Sequence, residues 1–394
     1  MRIRYLLYMG TSLFILLVTA SWSDAAWYDS GWKYRKSHVI NAASGAGTNY
    51  QVKITAHYGG GTDNGADVYL GNHSRTDFGD IRFTGSDGTT LLDYWMESRT
   101  DSDNAIFWVE VADDLSSVNR TIYVYYGKSD ATTTSNGDNT FLFFDDFSGA
   151  SVDSNKWVNS GCVVSNGVLQ VDPGDYVKSA NSFSFSATPY VIRQKTRITG
   201  ATGYKDSIYL WPIWDSNNSI VYRYSDILNA LALRLIDNGV QELSDVTATG
   251  GDETFNVWHI CDLKVSKTNL KTWFDNELKH NINVSIDYFS ALYMRIIAGG
   301  DCLAGEADWI LVRKFVDPEP AHGAWGGEEG APHSTYKTKV GNAAAWAWKI
   351  VYSTDAVNTV PSGTPSDWTW RTWEPGSGRK VPQGTADNWT WGAE

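Results

Sequence analysis

The chain has 394 residues with 45 acidic and 32 basic side chains, a net charge of −13 that argues against nucleic acid or an anionic lipid surface as partner. Its length exceeds what one small core holds and predicts two or three domains. The outlier is aromatic content, 19 Trp and 21 Tyr beside 36 Gly. That mixture suits β-sheets with polar loops, and surfaces on which a flat ring stacks against a sugar.

Arg2 and Arg4 precede a nearly all-apolar stretch from Leu6 to Ala20, and Ser23 and Ala25 have the small-residue spacing that signal peptidase reads. Residues 1–26 therefore read as a signal peptide. With Arg2 and Arg4 removed, 30 basic residues face 45 acidic ones, a net charge of −15. No later run approaches bilayer-spanning length, so the expected location is extracellular, at the cell surface, with no membrane span after cleavage.

Residues 27–128 read as a β-sandwich. Short runs at Tyr50 to Ala56, Asp80 to Thr84, Leu91 to Glu97, Ala105 to Val111 and Thr121 to Tyr126 alternate apolar and polar residues between Gly, Asp and Ser turns. Residues 129–140, a run of Thr, Ser, Asn and Asp with almost nothing to bury, read as a linker. Phe141-Leu-Phe-Phe-Asp-Asp-Phe147 opens a second core, and strand-like runs continue to about residue 318, with Ile227 to Ile236 the doubtful case for a helix. Residues 319–332, rich in Gly, Ala and Glu, read as a second linker. The tail, 333–394, repeats Gly followed by Trp-x-Trp three times, ending in Trp346/Trp348, Trp368/Trp370 and Trp389/Trp391. Trp-x-Trp places both indoles on one face of a strand, and each copy is a hairpin too small to fold alone. The six indoles either stack into a small core of their own or stand exposed as a binding surface. The predicted architecture is all-β: a sandwich, a concanavalin-A-like jelly roll and a small Trp-rich repeat tail.

Gly31-Trp-Lys-Tyr-Arg-Lys36, Asp80-Ile-Arg-Phe83, Leu92-Asp-Tyr-Trp95 with Glu97, Ala105-Ile-Phe-Trp-Val109 and Thr121-Ile-Tyr-Val-Tyr-Tyr-Gly127 resemble an uncharacterised domain family of archaeal and bacterial secreted and cell-surface proteins. Phe144-Asp-Asp-Phe147, Lys156-Trp157, Gly167-Val-Leu169, Trp258, Leu270-Lys-Thr-Trp-Phe-Asp-Asn276 and Asp308-Trp-Ile-Leu-Val-Arg313 resemble a laminin-G-like or concanavalin-A-like jelly roll. This second resemblance implies first and last strands that lie close together and a sheet that presents a ligand groove. It also implies a Ca2+ site near the first strand, with Asp145 and Asp146 as ligands and Asp308 as a third. The alternative is that one aspartate caps a turn and the other faces water.

Retaining glucanases of that superfamily carry Glu-x-Asp-x-Glu or Glu-x-Asp-x-x-Glu on one strand, so that alternation points every acid into the cleft. No such strand is present. Glu306-Ala-Asp308 lacks the following Glu and is expected on a closing edge strand. No nucleophile elbow lies near His259 or His280, and the seven His do not cluster at metal-ligand spacing. The chain is accordingly expected not to be an enzyme. Among Cys162, Cys261 and Cys302, one disulfide and one buried thiol are expected, and the sequence does not choose the pair.

The glycan-binding candidates are Trp211, Trp214, Tyr222 and Arg223, with Trp368, Trp370, Trp389 and Trp391 in the tail. Strand alternation puts Tyr209 and Trp211 on one face and Trp214 on the other. Pro212 favours an edge or a bend there. The expected function is non-catalytic glycan binding or adhesion, with a polysaccharide or glycoprotein glycan as partner and the tail also available to other surface proteins. A structural subunit of a surface layer or appendage is the second reading, and a polysaccharide-active glycoside hydrolase the third.

Overall fold

The computed structural model of the chain describes residues 26–332 apart from 187, 200–208, 226–229, 249–255 and 299–303, and beyond 332 the backbone of four short strands. The protein is all-β. Among the described residues the one α-helical stretch is a single turn, and no helix is long and apolar enough to cross a membrane.

The first sandwich uses β1 (Tyr34–Asn41), β2 (Tyr50–His57), β3 (Asp67–Tyr69), β4 (Arg82–Thr84), β5 (Tyr94–Thr100), β6 (Asn104–Val111) and β7 (Arg120–Tyr126). After the turn α1 (Gly137–Thr140), the second sandwich begins with β8 (Phe143–Asp145), β9 (Trp157–Ser160), β10 (Val163–Ser165), β11 (Val168–Val171), β12 (Tyr176–Ser184) and β13 (Tyr190–Ile198). It continues with β14 (Tyr209–Leu210), β15 (Ile213–Asp215), β16 (Asn218–Ser225), β17 (Ala230–Asp237) and β18 (Val240–Ala248). It ends with β19 (His259–Val265), β20 (Asn269–Phe274), β21 (Glu277–Asn283), β22 (Ala291–Ile297) and β23 (Gly305–Lys314). The segment doubtful in sequence is a strand, β17, with Leu231, Leu233 and Leu235 alternating into the core.

Four sheets stack. Sheet A runs β24-β1-β7-β4, where β24 is Ala321–Trp325, and β25 (Glu329–Gly330) also pairs with β1. Sheet B runs β3-β2-β6-β5. Sheet C runs β10-β11-β23-β13-β19-β20-β21 with β8 on β23, and sheet D runs β18-β17-β16-β14-β22-β12-β9 with β15 beside β16 and β22. Ile40, Ile122 and Val124 of sheet A meet Ile54, Phe107 and Val109 of sheet B in one core. Ile192, Leu263 and Ile310 of sheet C meet Leu210, Leu233 and Leu292 of sheet D in another.

Neither predicted linker is a free connection. In the first, the Thr134 amide donates to Tyr94 Oη (3.1 Å), and the Met96 amide donates to Ser135 Oγ (2.8 Å). Arg82 donates to the Thr132 carbonyl (2.6 Å), and Asn136 caps α1 through the Asn139 amide (3.1 Å). In the second, residues 321–330 form β24 and β25, which pair antiparallel with β1 as His38↔Trp325 and Tyr34↔Gly330. The correction has a plain cause: polar and small residues read as linker when their partners lie far away in sequence. Val316 joins the first core and Trp325 packs against it, so the second sandwich is inserted within the first.

The two sandwiches meet through sheets B and C. Trp95, Trp108, Phe141, Phe144, Trp309 and Leu311 form a separate apolar cluster, with the Trp95 and Trp309 rings 5.2 Å apart and edge-on. Beside it Arg193 is buried, donating to Asp262 (2.6 Å) and to Glu97 (3.2 Å), while Trp108 Nε1 donates to the other Glu97 oxygen (2.6 Å). Burial alone would lower the Arg193 pKa, but the two carboxylates outweigh it and hold the guanidinium charged. Removing one partner of such a group strands the others in a dry place. Arg193→Ala should therefore cost about 3–5 kcal/mol in chemical denaturation. A loss under about 1 kcal/mol, the usual range for a surface pair, would contradict the burial seen here.

The returning strand is fastened from inside. His38 Nε2 lies 2.8 Å from His322 Nδ1, and the Trp325 ring stacks on His38 at 3.7 Å. Burial, and then the neighbouring His322, push His38 down from 6.5 to about 3. The folded protein thus refuses a proton that the unfolded chain accepts below pH 6.5. Stability is complete above that value and declines as pH falls from 6.5 towards 3, by up to about 1.4 kcal/mol per pH unit for this histidine. Denaturant midpoints at pH 7.5, 6 and 5 should fall in that order, and a flat profile would show that His38 is not held neutral.

Candidate functional site

On β22 the core side chains are Leu292, Met294 and Ile296, which leaves Tyr293 and Arg295 on the opposite face of sheet D. On β12 Val177 and Ser179 are buried, and Tyr176 and Lys178 face outwards. Backbone pairing sets these groups side by side. Lys178 stands directly opposite Arg295, Ile213 opposite Tyr293, and the Trp211 amide donates to the Arg295 carbonyl (2.8 Å).

Two rows result. In the first, the Arg295 guanidinium lies 4.9 Å from the Trp211 ring and 4.3 Å from the Tyr176 ring. In the second, Trp214 stacks on Tyr293 at 5.9 Å with planes 19° apart, and Lys178 Nζ lies 4.7 Å from the Tyr293 ring. Trp214 is 46 % exposed, a large indole left half in water where most of the described aromatics are buried. Trp211 and Trp214 therefore share a face, contrary to the alternation expected from sequence. Pro212 interrupts the strand and the register shifts between Ile213 and Asp215, so one residue drops out of the period of two.

Along the sheet, Arg223 and Arg234 converge on Asp245, Arg223 at 3.5 Å. Tyr222 points the other way. It is buried, and its hydroxyl donates to the Trp273 carbonyl of sheet C (3.1 Å), which makes it a bridge across the core and not a surface group. Of the tail candidates, Trp368, Trp389 and Trp391 lie outside the described residues. Trp370 is described by its backbone alone, paired with Pro361 between the strands Asn358–Ser362 and Thr369–Trp373.

The three aspartates proposed for Ca2+ each have another partner. Asp145 is buried between sheets C and D, accepting from Trp157 Nε1 (2.6 Å) and the Phe147 amide (2.9 Å), and burial raises its pKa. Asp146 accepts from the Ser148 amide (3.2 Å), and Asp308 pairs with Lys195 (2.8 Å). Among the described residues no three His, Cys, Asp or Glu side chains lie close enough to hold a metal ion. Glu306 and Asp308 sit on β23, which is an interior strand between β11 and β13 and not the expected edge, and Glu306 pairs with Arg197 (2.6 Å). Cys162 and Cys261 are buried and Cys302 lies outside the described residues, while burial pushes the Cys162 thiol up to about 12.

The groups missed in sequence are Tyr176, Lys178, Tyr293 and Arg295. Tyr293 and Arg295 carry a local signal, since they alternate with Leu292, Met294 and Ile296. Which strand lies beside theirs is set by pairing across more than a hundred residues.

A family described as "Domain of unknown function (DUF2341)" matches residues 77–160, which run from just before β4 through β9 and so cover the junction of the two sandwiches. No curated protein sequence matches the chain. Among solved structures, an endo-acting O-glycanase study of human gut microbiota supplies one that is 14 % identical, covering 45 % of this chain and all of its own, with a TM-score of 0.36. An endo-β-1,3-glucanase from Pyrococcus furiosus is 12 % identical over 45 % of this chain and 95 % of its own, with a TM-score of 0.36. A carbohydrate-binding module, CBM66 from Bacillus subtilis, is 12 % identical over 44 % and 96 %, with a TM-score of 0.30. The expectation that the chain is not an enzyme is corrected here: structures similar to it include ones described as an endo-β-1,3-glucanase, laminarinases and a lichenase, so absence of catalysis is not a property to assign to it. Likeness at this level transfers no activity to the chain.

Proposed function

We propose that the protein engages polysaccharide, and that it does so on the outward face of sheet D. The observation that carries this reading is the pair of rows described above, above all the half-exposed Trp214 seated on Tyr293. A ring plane fixed from behind by a second ring costs little ordering when a sugar ring lies on it. The flanking Lys178, Arg223 and Asp245 supply donors and acceptors for hydroxyl groups, the mixture of apolar plate and few polar groups that saccharide sites use. Support also comes from the abundance of Trp and Tyr, 19 and 21 in the chain.

Covering ~60 Å2 of indole is worth ~1.5 kcal/mol, or about tenfold in affinity. Affinity electrophoresis of the full chain through gels cast with a panel of polysaccharides should show retardation, and Trp214→Ala should reduce it at least tenfold with an unchanged melting temperature. Assay of new reducing ends in the same mixtures reads bond cleavage directly. Retardation that survives Trp214→Ala undiminished would remove this face as the site.

A further inference from the structure

We infer that the returning segment is an acid-released flap: in mild acid residues 321–326 lift from β1 while both sandwiches stay folded, uncovering the edge of β1 and the Trp325 ring. The segment is lightly held. β24 stands at the end of sheet A and pairs with β1 alone, in three registered positions broken by a shift between His38 and Ile40. Its contribution to the first core is Trp325, a partly buried ring. An edge with so few buried apolar groups opens well before the whole fold does. Both ends are held more firmly. Before the segment, Glu319 accepts from Tyr50 Oη (2.7 Å) and from Arg313 (3.1 Å). After it, Glu328 accepts from Tyr126 Oη (2.7 Å), and Glu329 pairs with the buried Arg35 (2.7 Å). Chain between two such anchors can open as a loop and close again.

The groups beneath the segment decide when it opens. Four of the chain's seven histidines stand around it: His38, His57, His73 and His322. His73 lies 3.0 Å from the Glu328 carboxylate and His57 2.8 Å from Asp67, so each of these meets a negative charge. His38 faces another imidazole instead. It is fully buried, its Nε2 is 2.8 Å from His322 Nδ1, and the Trp325 ring is stacked over it. Lys36, two residues along β1, is committed to Asp63 (2.7 Å), and Asp67, whose charge reaches His322, is committed to His57. One proton fits between the two rings, donated by one nitrogen and accepted by the other. A further proton sets two N–H groups against each other in a dry place. The Ala324 carbonyl favours charge on His38, but burial and His322 outweigh it. Burial lowers the pKa of His322 as well. Both imidazoles therefore accept protons readily only after the segment has lifted. The closed form is fully favoured above the ordinary histidine pKa of about 6.5 and loses ground as pH falls below it. At β25 the same acid leaves His73 beside a carboxylate, and the release stops there.

The test is hydrogen exchange of the full chain, read by mass spectrometry at about pH 7.5 and about pH 5.5 and corrected for the intrinsic exchange rate. Protection of the amides in 321–326 should fall at least about tenfold at the lower pH, the ratio that one histidine with an ordinary pKa in the open form supplies over that interval. Protection in β13 and β23 should change less than about twofold, since neither strand leaves its sheet. The double variant His38→Gln/His322→Gln should show nearly equal protection of the segment at the two pH values, and His73→Gln should keep the full fall. The unmodified chain already decides the main point: unchanged protection of 321–326, or a fall shared equally by β13 and β23, overturns the flap. A fall that persists undiminished in the double variant overturns its histidine origin, and one that vanishes in His73→Gln moves the switch to Glu328 and overturns the assignment to His38 and His322.

Discussion

The arrangement depends on the antiparallel pairing of β8 with β23, the first and last strands of the second sandwich, in the register Phe143↔Val312, Phe144↔Leu311, Asp145↔Ile310. This pairing puts the two ends of a long excursion side by side, so the excursion can leave the first sandwich after β7 and return to it at β24. Three successive residues then serve three ends. Phe143 turns inward against Trp157, Phe144 turns outward against Trp95, and Asp145 turns inward again to accept from Trp157 Nε1. The alternation of a single short strand couples two cores.

What lies between the sandwiches is costly to assemble. Six large apolar side chains are covered there, but so are an arginine and two carboxylates. Apolar burial supplies the drive, while the desolvated charges penalise any docking that leaves one of them unpaired. Tyr50 and Arg313, both engaged by Glu319 just before β24, extend the same logic to the point of return. The family match from 77 to 160 spans β5, β6 and β8, the strands that furnish Trp95, Trp108 and Phe144 to this joint.

The sequence made the class of fold legible because period-two alternation is a local signal. Val52 and Ile54, Phe107 and Val109, Ile122 and Val124 all face the core as their spacing requires. The connections were illegible for the opposite reason. Thr132, Thr134, Ser135 and Asn136 look solvated until Arg82, Tyr94 and Met96 are brought to them, and Ala321 to Trp325 is strand only because β1 offers an open edge. The site was half legible. Its indoles were visible, but Pro212 broke the alternation used to assign their faces, and Tyr222 was placed by a carbonyl on the other sheet. Lys178 and Arg295 are unremarkable as letters, and they acquire meaning from register alone.

The insertion also decides how the molecule responds to being pulled. Tyr34, near the start of the described chain, is paired with Gly330, near the end of its two sandwiches. Traction between those points acts on neighbouring strand ends, so the backbone bonds of β25 and then β24 open one after another, as a zipper does, and do not resist together in shear. The second sandwich, threaded between β7 and β24, stays out of the line of tension until that zipper has run. A ligand held on sheet D would thus ride on a body shielded from the first force applied, and the chain would lengthen by peeling an edge before its far sheet is disturbed.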